Sequence, residues 1–193
     1  MTNVRLDLFS VGDYRPGGSR ISRALWHFFG QRILRSQLLV SYELKSRVLR
    51  LFGAQVGRGV VIKPGVRVKY PWRLKVGDHV WLGEDAWIDN LETVTISDHV
   101  CISQGAYFCT GNHDWRKPSF DYRLAAISVG AGAWIGARSL VAPGVRIGES
   151  AILTAGSVAT QTLVPGGVYT GNPAVYVKNR WPVGSVQPEL QYS

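Results

Sequence analysis

An aliphatic residue returns at every sixth position through most of this chain. From Val129 onward the series continues at Ile135, Val141, Ile147 and Leu153, and each member is followed by a small residue or threonine. The same spacing occurs in three earlier runs, which are Val56, Ile62 and Val68; Val76, Leu82, Ile88 and Val94; and Ile96, Ile102 and Phe108. A unit of six residues cannot bury its own aliphatic side chain. The hexads must therefore stack on one another, as the units of a solenoid do.

Each hexad is long enough for one short strand and one corner. The aliphatic residue and a smaller residue four positions later are expected to point inward, while glycine or asparagine nearby permits the tight corner. These smaller residues are Ala86, Val100, Ala106, Ala133, Ser139, Val145, Ala151 and Ser157. Three such walls close a triangular coil, and stacked coils form a parallel β-helix.

The first 55 residues follow a helical period instead of the six-residue one. Apolar residues recur at spacings of three and four and predict a packed helix face, which comprises Ile21, Ala24, Leu25, Phe28 and Phe29. The polar face opposite comprises Arg23, His27, Gln31 and Arg35, and a second helix after Tyr42 carries Leu44, Val48, Leu51 and Phe52. We therefore expect a basic amphipathic helical cap at 1–55, a β-helix at 56–170 and a closing tail at 171–193.

Positive charge is concentrated in this predicted cap. The chain carries a net charge of +9, and residues 1–55 hold nine Lys/Arg against three Asp/Glu, which is 9 − 3 = +6. One interpretation is contact with an anionic membrane surface that presents a lipid-linked sugar. The alternative is a cap whose arginines face water. It is the favoured interpretation, because most amphipathic helices in soluble proteins are simply packed on a core. Nucleic acid is not an expected partner, because no binding motif is present and the basic residues do not continue along the coils.

Compartment and redox state follow from what the sequence lacks. No apolar stretch is long enough to span a bilayer, and the N-terminus has no signal-peptide pattern, so a cytoplasmic location is expected. Cys101 and Cys109 could form at most one bridge and are expected to be small fillers.

The repeat is interrupted in three places. KYPWRLK follows Val68, the frame slips by two residues between Val94 and Ile96, and CTGNHDWRKPSFDYRLAAIS follows Phe108. The last interruption predicts a loop extruded at about residues 109–127. Excursions from a rigid scaffold are where chemistry is usually placed.

Several strings around this loop carry a family resemblance. TGNHD, GAWIGARSLVAPGVRIGESAILTAGSVAT and VYTGNPA resemble the hexapeptide-repeat acyltransferases. YPW, VWLGEDAWIDN and KPSFD are similar to the colanic-acid (exopolysaccharide) O-acetyltransferase branch, which is related to the maltose, galactoside and nodulation-type enzymes. The resemblance implies an all-β fold: a left-handed parallel β-helix with an N-terminal helical cap and one protruding loop.

The resemblance also implies an activity. Relatives transfer an acetyl group from acetyl-CoA, the acyl donor, to a sugar hydroxyl, require no metal, and are homotrimers with a groove between neighbouring prisms. A sugar hydroxyl needs a base with a pKa near neutrality to take its proton. His113 matches the family's catalytic histidine. Asp114 or Asp89 would orient its imidazole, and the residues leave this choice open.

Further site residues follow from matching positions. In relatives a backbone N–H on a coil of the adjacent subunit stabilises the oxyanion, and the matching region here is Gly136 to Ala137. Asp89 and Asn90 match positions that contact the acceptor sugar, although Asp and Asn are also common at tight corners.

The coenzyme A side follows in the same way. The pantetheine arm would lie along the later coils, and Lys178 would serve the phosphates or the adenosine end. The residues expected to line the arm are Ala137, Ala155, Thr160 and Pro173. Two positions depart from the family, since Gln161 stands where many relatives have lysine and Val175 where they often have arginine. Trp134 is expected either near this groove or at a subunit contact.

Two alternatives come from other classes of protein. His79 and His99 share a hexad phase and would stack one coil apart, as in histidine-metal enzymes of the gamma-carbonic-anhydrase type, but a third ligand is missing. A non-catalytic scaffold or adaptor is the other alternative, and failure to bind any acyl-CoA would favour it. Nothing in the sequence encodes a particular acceptor sugar, either free, nucleotide-linked or lipid-linked.

Overall fold

The computed structural model describes residues 3–39 and 41–181. The N-terminal part contains a short 3-10 turn followed by a helix in three segments and a second helix. The elements are the 3-10 turn Leu6–Leu8, α1 (Arg20–Leu25), a π-helical segment Trp26–Gly30, α2 (Gln31–Arg35) and α3 (Tyr42–Leu51).

Nineteen strands follow within the described residues, and most are two or three residues long. Coils one to three comprise β1 (Gln55–Val56), β2 (Val61–Ile62), β3 (Arg67–Val68), β4 (Leu74–Val76), β5 (Trp81–Leu82), β6 (Trp87–Asp89), β7 (Val94–Ile96), β8 (Cys101–Ile102) and β9 (Tyr107–Cys109). A 3-10 turn, Pro71–Arg73, leads into β4. The later strands are β10 (Gly111–His113), β11 (Tyr122–Leu124), β12 (Ile127–Val129), β13 (Trp134–Ile135), β14 (Leu140–Val141), β15 (Arg146–Ile147), β16 (Ile152–Leu153), β17 (Val158–Ala159), β18 (Gly167–Gly171) and β19 (Ala174–Asn179).

The coil strands form three parallel walls. Wall 1 has the order β1-β4-β7-β12-β15, wall 2 the order β2-β5-β8-β13-β16-β18-β19, and wall 3 the order β3-β6-β9-β14-β17. Pairing is in register, so that Leu82 lies beside Ile102 and Ile135 beside Leu153. The chain visits walls 1, 2 and 3 in turn. The predicted parallel β-helix is confirmed.

The core lies inside the prism. The aliphatic residue of every predicted hexad is buried except Val56, which is half-buried, and all eight smaller inward residues are buried as well. Stacking is close enough to require glycine at some corners. A Cβ added at Gly136 would lie 2.4 Å from the backbone nitrogen of Ala155 on the next coil.

Side chains of the N-terminal helices satisfy carbonyl groups at the open edge of the first coil. On wall 1, Arg50 Nε donates to the Val56 carbonyl over 2.9 Å. On wall 2, the buried Lys45 Nζ contacts the Ile62 carbonyl at 3.4 Å, and on wall 3 Trp26 Nε1 donates to the Val68 carbonyl over 3.0 Å. An unpaired strand edge invites association with other chains, so this helical cap protects the end of the prism.

The predicted packed face of the first helix is wrong. Trp26, Gly30 and Leu34 are the residues that it buries. The residues that the periodicity favoured, Ile21, Ala24, Leu25, Phe28 and Phe29, are exposed. The reason is the seating of Trp26: its Nε1 reaches the Val68 carbonyl of the first coil, and its ring covers Gly30 of the same helix, where a Cβ would lie 2.2 Å from Trp26 Cε3. Trp26 also packs against Phe52 with ring centroids 5.1 Å apart.

Residues 3–18 do not form part of a helical cap. They contain one 3-10 turn and run toward the extruded loop, where the Arg5 N–H donates to the Pro118 carbonyl over 2.8 Å. Near the other end of this N-terminal arm, Trp72 Nε1 donates to the Pro16 carbonyl over 2.7 Å. At the C-terminal end, β19 folds back antiparallel on β18 and extends wall 2. The part of the predicted tail at 182–193 lies outside the described residues.

The two cysteines are free and half-buried. Cys101 lies on wall 2 and Cys109 on wall 3, and burial raises the pKa of the Cys101 thiol. Within the described ranges, no helix is both long and apolar enough to cross a membrane.

Candidate active site

The extruded loop is a β-hairpin at the corner between walls 3 and 1. β10 and β11 pair antiparallel, with His113 opposite Tyr122 and Asn112 opposite Arg123. At the base of the hairpin the Ala125 N–H donates to the Thr110 carbonyl over 3.0 Å. The hairpin therefore holds His113 on a paired strand, which fixes the position of its backbone.

The His113 ring has one nitrogen engaged. Nδ1 lies 2.7 Å from the Phe120 carbonyl oxygen, which can only accept a hydrogen bond. Nδ1 therefore carries the proton in the neutral ring, and Nε2 keeps its lone pair. An imidazole in this tautomer can take a proton at Nε2.

Phe120 holds the imidazole with its carbonyl oxygen and also with its ring. The ring stacks on His113 with centroids 4.2 Å apart and an interplanar angle of 5°. Its φ of 50° lies in the left-handed region, which is rare for a bulky residue and costs about 1–3 kcal/mol. Strained residues of this kind cluster at functional sites. Sequence reasoning missed Phe120, because a backbone carbonyl acceptor leaves no signal in residue type.

Two further aromatic side chains surround His113. The Tyr122 ring lies 5.1 Å from the imidazole and the Phe9 ring 5.7 Å, measured between centroids. Phe9 also meets Tyr122 edge to face at 5.1 Å. Phe9 belongs to the N-terminal arm, so a segment distant in sequence contacts the candidate base. Its position within a predicted cap gave no sign of this contact.

The structure gives Asp114 a different partner from the predicted one. Its carboxylate accepts from Arg116 Nε over 3.1 Å, and this guanidinium holds the pKa of the carboxyl below its ordinary value. The ring nitrogen that an orienting carboxylate would contact is bonded to the Phe120 carbonyl. The orienting role predicted for Asp114 or Asp89 therefore falls to Phe120.

Asp89 lies at the C-terminal end of β6, at the same corner as the hairpin. Its carboxylate is ion-paired with Lys69 Nζ at 2.9 Å and accepts from the Tyr107 hydroxyl over 3.2 Å. Burial raises the pKa of the Tyr107 hydroxyl, which keeps it a donor. Asp89 is half-buried and stays a candidate for acceptor binding.

Asn90 has a structural role. It is fully buried, its Nδ2 donates to the Tyr70 carbonyl over 2.7 Å, and its Oδ1 accepts from the Tyr70 N–H over 3.0 Å. Both ends of the amide are thus used to hold the preceding coil. This arrangement corrects the expectation that Asn90 contacts the sugar.

Gly136, Ala137 and Ala155 lie together at the corner between walls 2 and 3. The Gly156 N–H donates to the Ala137 carbonyl over 2.8 Å, which stacks these corners on consecutive coils. The Gly136 N–H is bonded to the Leu153 carbonyl over 2.7 Å. The Ala137 N–H has no acceptor in the part of the chain that the structure describes, so it is the one of the two that is available to an oxyanion.

Thr160 lies at the other corner, between walls 3 and 1. It lines a cavity of about 630 Å³ together with Asn112 and Arg123 of the hairpin and Ala142 and Pro143 of the coil below. Gln161 follows it and is exposed. The structure therefore brings Thr160 close to the hairpin that carries His113.

The remaining predicted coenzyme residues lie on the C-terminal hairpin. Pro173 is exposed in the turn between β18 and β19, and Lys178 is exposed beside Val168. Val175, the second departure from the family pattern, is also exposed. Near this turn, Thr170 Oγ1 accepts from Thr154 Oγ1 over 2.8 Å. The turn is thus linked to the coil of Ala155.

The candidate residues consequently fall into two groups on one prism. His113, Asp89 and Thr160 lie at the corner between walls 3 and 1, whereas Ala137 and Ala155 lie at the corner between walls 2 and 3. Because the two corners are separated by the whole width of wall 3, one chain does not bring the base and the oxyanion donor together.

The histidine-metal alternative lacks a cluster. The His79 and His99 rings stack 5.3 Å apart at 11°, as predicted from their shared phase. Over residues 3–39 and 41–181, however, no group of three or more His, Cys, Asp or Glu side chains is placed to hold a metal ion.

Similarity to known proteins agrees with the fold. Residues 126–161 match the family model described as the hexapeptide repeat of succinyl-transferase. The chain is 38% identical over 172 residues to the Escherichia coli K12 protein named "Putative colanic acid biosynthesis acetyltransferase WcaF", which covers 89% of this chain and 94% of that protein. It is 29% identical over 140 residues to the galactoside O-acetyltransferase of the same strain, covering 70% and 68% of the two chains.

Solved structures share the same architecture. A hexapeptide-repeat containing acetyltransferase of Vibrio cholerae O1 biovar eltor, complexed with acetyl coenzyme A, matches with a TM-score of 0.76 and 20% identity over 90% of this chain and 96% of that chain. A galactoside acetyltransferase in complex with coenzyme A gives 0.71 and 23% identity over 82% and 80%. The repeat and the 38% identity to the Escherichia coli relative over most of both chains show that the chain belongs to the hexapeptide-repeat acetyltransferase family.

Proposed function

We propose that this protein transfers an acetyl group from acetyl-CoA to a sugar hydroxyl, with His113 as the general base. The observation that carries the proposal is the hydrogen bond from His113 Nδ1 to the Phe120 carbonyl. It leaves Nε2 unprotonated on a ring held by stacking, which is what proton abstraction from an alcohol requires. The names of the relatives support the acetyl donor and a saccharide acceptor.

The reaction needs no acyl-enzyme. The sugar oxygen attacks the thioester carbonyl carbon while its proton passes to His113 Nε2. The tetrahedral oxyanion accepts a hydrogen bond from the Ala137 N–H of a neighbouring chain. Collapse breaks the carbon–sulfur bond, and the departing thiolate of CoA recovers the proton from the imidazolium.

A homotrimer follows as part of the proposal. The base at one corner of the prism and the oxyanion donor at another corner can meet only if two chains pack side by side. Cyclic packing of three chains makes three such sites. Exposed indoles on wall 2, Trp81 and Trp134, would lie at this contact, where Trp134 Nε1 already donates to Ser103 Oγ over 2.9 Å.

In this arrangement the donor lies in the groove between chains. Ala137 and Ala155 are small enough for the pantetheine arm to lie against the backbone, with Pro173 near them on the same chain. Thr160 of the neighbouring chain would line the other side. Lys178 would contact the phosphates. With Gln161 and Val175 in place of cations, Lys178 carries more of this contact than it would in relatives.

We place the acceptor at the hairpin corner beside Asp89, whose carboxylate can accept from a sugar hydroxyl. The relative named for colanic acid biosynthesis supports a role in exopolysaccharide biosynthesis. A lipid-linked acceptor is part of the same proposal and is motivated by the basic N-terminal helices. A cytoplasmic location, at the inner face of the membrane, belongs to the same proposal.

Release of free thiol from acetyl-CoA, followed with a panel of mono- and oligosaccharides, tests the activity. Turnover should depend on an added sugar and fall by about two or more orders of magnitude in His113→Ala. His79→Asn is the matched control, because asparagine tolerates the φ of 56° at this stacked, remote histidine. Sugar-independent thiol release, or equal turnover in His113→Ala, would contradict the proposal.

A further inference from the structure

The first helix carries a row of large apolar side chains that the cap does not use. Ile21, Leu25, Phe28 and Phe29, here called the ridge, are 73%, 45%, 52% and 60% exposed. Spacings of four, seven and eight residues place them on one face of the helix. The opposite face holds the helix to the β-helix through Trp26, Gly30 and Leu34. Within residues 3–39 and 41–181, the ridge therefore does not belong to the packed face of the helix.

The π-helical segment sharpens this arrangement. Trp26–Gly30 inserts an extra residue into the helix, and both of its phenylalanines lie on the solvent side while Trp26 and Gly30 are buried. Segments of this type are frequent at functional sites. Contiguous exposed apolar residues on successive turns mark interaction surfaces in soluble proteins.

The charge of the same helix is wholly positive. Residues 20–35 contain four arginines, Arg20, Arg23, Arg32 and Arg35, and no aspartate or glutamate. An apolar face flanked by arginines on a short helix is typical of segments that lie in the interface of an anionic bilayer. Cations near such a surface are attracted by its negative potential.

A cationic pocket opens beside the ridge. It has a volume of about 450 Å³, and its lining includes His27, Arg32, Arg35 and one carboxylate, that of Asp85. Across residues 3–39 and 41–181, neither Arg32 nor Arg35 has an ion-pair partner. Two free guanidiniums and an imidazole are suited to the phosphate of a lipid headgroup.

We infer that the first helix docks on an anionic lipid bilayer, with the ridge inserted between headgroups and a lipid phosphate in the pocket. Charge complementarity favours this occupant over a second copy of the chain packed ridge against ridge, because that contact would oppose four arginines with four more. The docking itself is argued independently of the proposed function. Its biological purpose, which is access to an acceptor held at the membrane, rests on that function.

Co-sedimentation with vesicles tests the docking directly. We expect native protein to sediment with vesicles of phosphatidylcholine containing phosphatidylglycerol and to stay in the supernatant with phosphatidylcholine alone. Binding should weaken as salt is raised, since the electrostatic part is screened within about 10 Å at 0.1 M.

Two double variants probe the two parts of the surface. Phe28→Ser with Phe29→Ser removes half of the ridge, and Arg32→Gln with Arg35→Gln removes the free cations. Each should weaken binding to the anionic vesicles by roughly tenfold or more. Val164→Ser with Arg146→Gln is the matched control, because both residues are exposed on the coils, and it should bind as native protein does. Circular dichroism confirms that each variant is folded.

Several results would overturn the inference. They are absence of vesicle binding by folded native protein, native-like binding by both double variants, or a loss of oligomer mass in the ridge variant, which would assign the ridge to a second copy. If native protein binds inorganic phosphate but does not bind vesicles, the pocket is a site for free phosphate instead. Acetyl transfer to a soluble sugar is measured separately, so failure of docking and failure of the proposed activity are distinguishable.

Discussion

Ile62, Leu82 and Ile102 on wall 2 are fully enclosed by the prism, whereas Ile21, Phe28 and Phe29 on the first helix are left in water. Both regions are rich in apolar residues. In the coils, a neighbour above and a neighbour below cover each side chain, and the parallel ladder repeats this contact from coil to coil. In the helix, Trp26, Gly30 and Leu34 pack against the rest of the chain, whereas the ridge on the opposite face is exposed in the described structure.

The difference separates scaffold from working surface. The coils place every aliphatic residue by repetition, so they have few degrees of freedom left for function. The candidate base His113 lies on a hairpin that interrupts the repeat, and the N-terminal arm and the ridge precede the repeat. The coils contribute backbone groups and surface side chains, such as the Ala137 N–H and Trp134, to the proposed site and subunit contact.

The largest expected effect contrasts two aromatic residues less than one turn apart. Trp26→Ala should lower the free energy of unfolding by about 3–5 kcal/mol, because it removes a fully buried ring and its bond to the Val68 carbonyl. Phe29→Ala should change it by no more than about 0.5 kcal/mol. Urea titrations followed by circular dichroism at one protein concentration measure both. Equal losses would show that the ridge packs against something within the folded assembly.

A second experiment tests whether the N-terminal arm acts on the candidate base. Phe9→Ala removes one ring from the imidazole, and aromatic pairs contribute about 0.5–1.5 kcal/mol. We expect kcat to fall by about two- to tenfold, with KM for acetyl-CoA unchanged. Phe9→Tyr keeps the ring and should retain native kcat. A fall in thermal stability with native kcat would give Phe9 a purely structural role.

The smallest effect concerns Lys45, at the join of the two regions. Burial lowers the pKa of its ammonium in the folded chain, whereas a lysine in the unfolded chain has a pKa of about 10.4. Between these two pKa values, Lys45 is protonated more often in the unfolded chain than in the folded chain. The free energy of unfolding therefore increases as pH rises toward the pKa of the unfolded chain. Native protein should therefore gain stability relative to Lys45→Met between neutral and alkaline pH, as measured by urea midpoints. If the difference in stability between native protein and Lys45→Met does not change with pH, folding does not lower the pKa of Lys45.

The same contrast explains how far sequence reasoning reaches. The hexad phase predicted the inward positions of the coils correctly, because a six-residue period leaves one way to close a stack. The helical period, by contrast, predicted the wrong packed face for the first helix, because apolar residues occur on two faces and the choice between them depends on the contacts of Trp26 with Val68 and Phe52. Contacts between residues so distant in sequence have no periodic signature.

Within the site, the residue with the relevant side-chain chemistry was easier to predict than the groups that contact it. His113 could be singled out from its motif, and its location on the hairpin keeps it a candidate. The carbonyl of Phe120 and the ring of Phe9 could not, since the first is backbone and the second lies more than 100 residues away. Asn90 resembled a ligand contact in sequence but holds the coil instead.

Subunit complementation tests the central claim most directly. His113→Ala lacks the base, and Ala137→Trp blocks the oxyanion corner, so each variant alone should be inactive. When the two chains are co-expressed with different tags and mixed trimers are isolated, one of the three sites in each cyclic mixed trimer, about a third of all sites, combines both native halves. We predict sugar-dependent thiol release near that fraction of native activity. Inactive mixed trimers would show that the base and the oxyanion donor do not meet across a subunit interface.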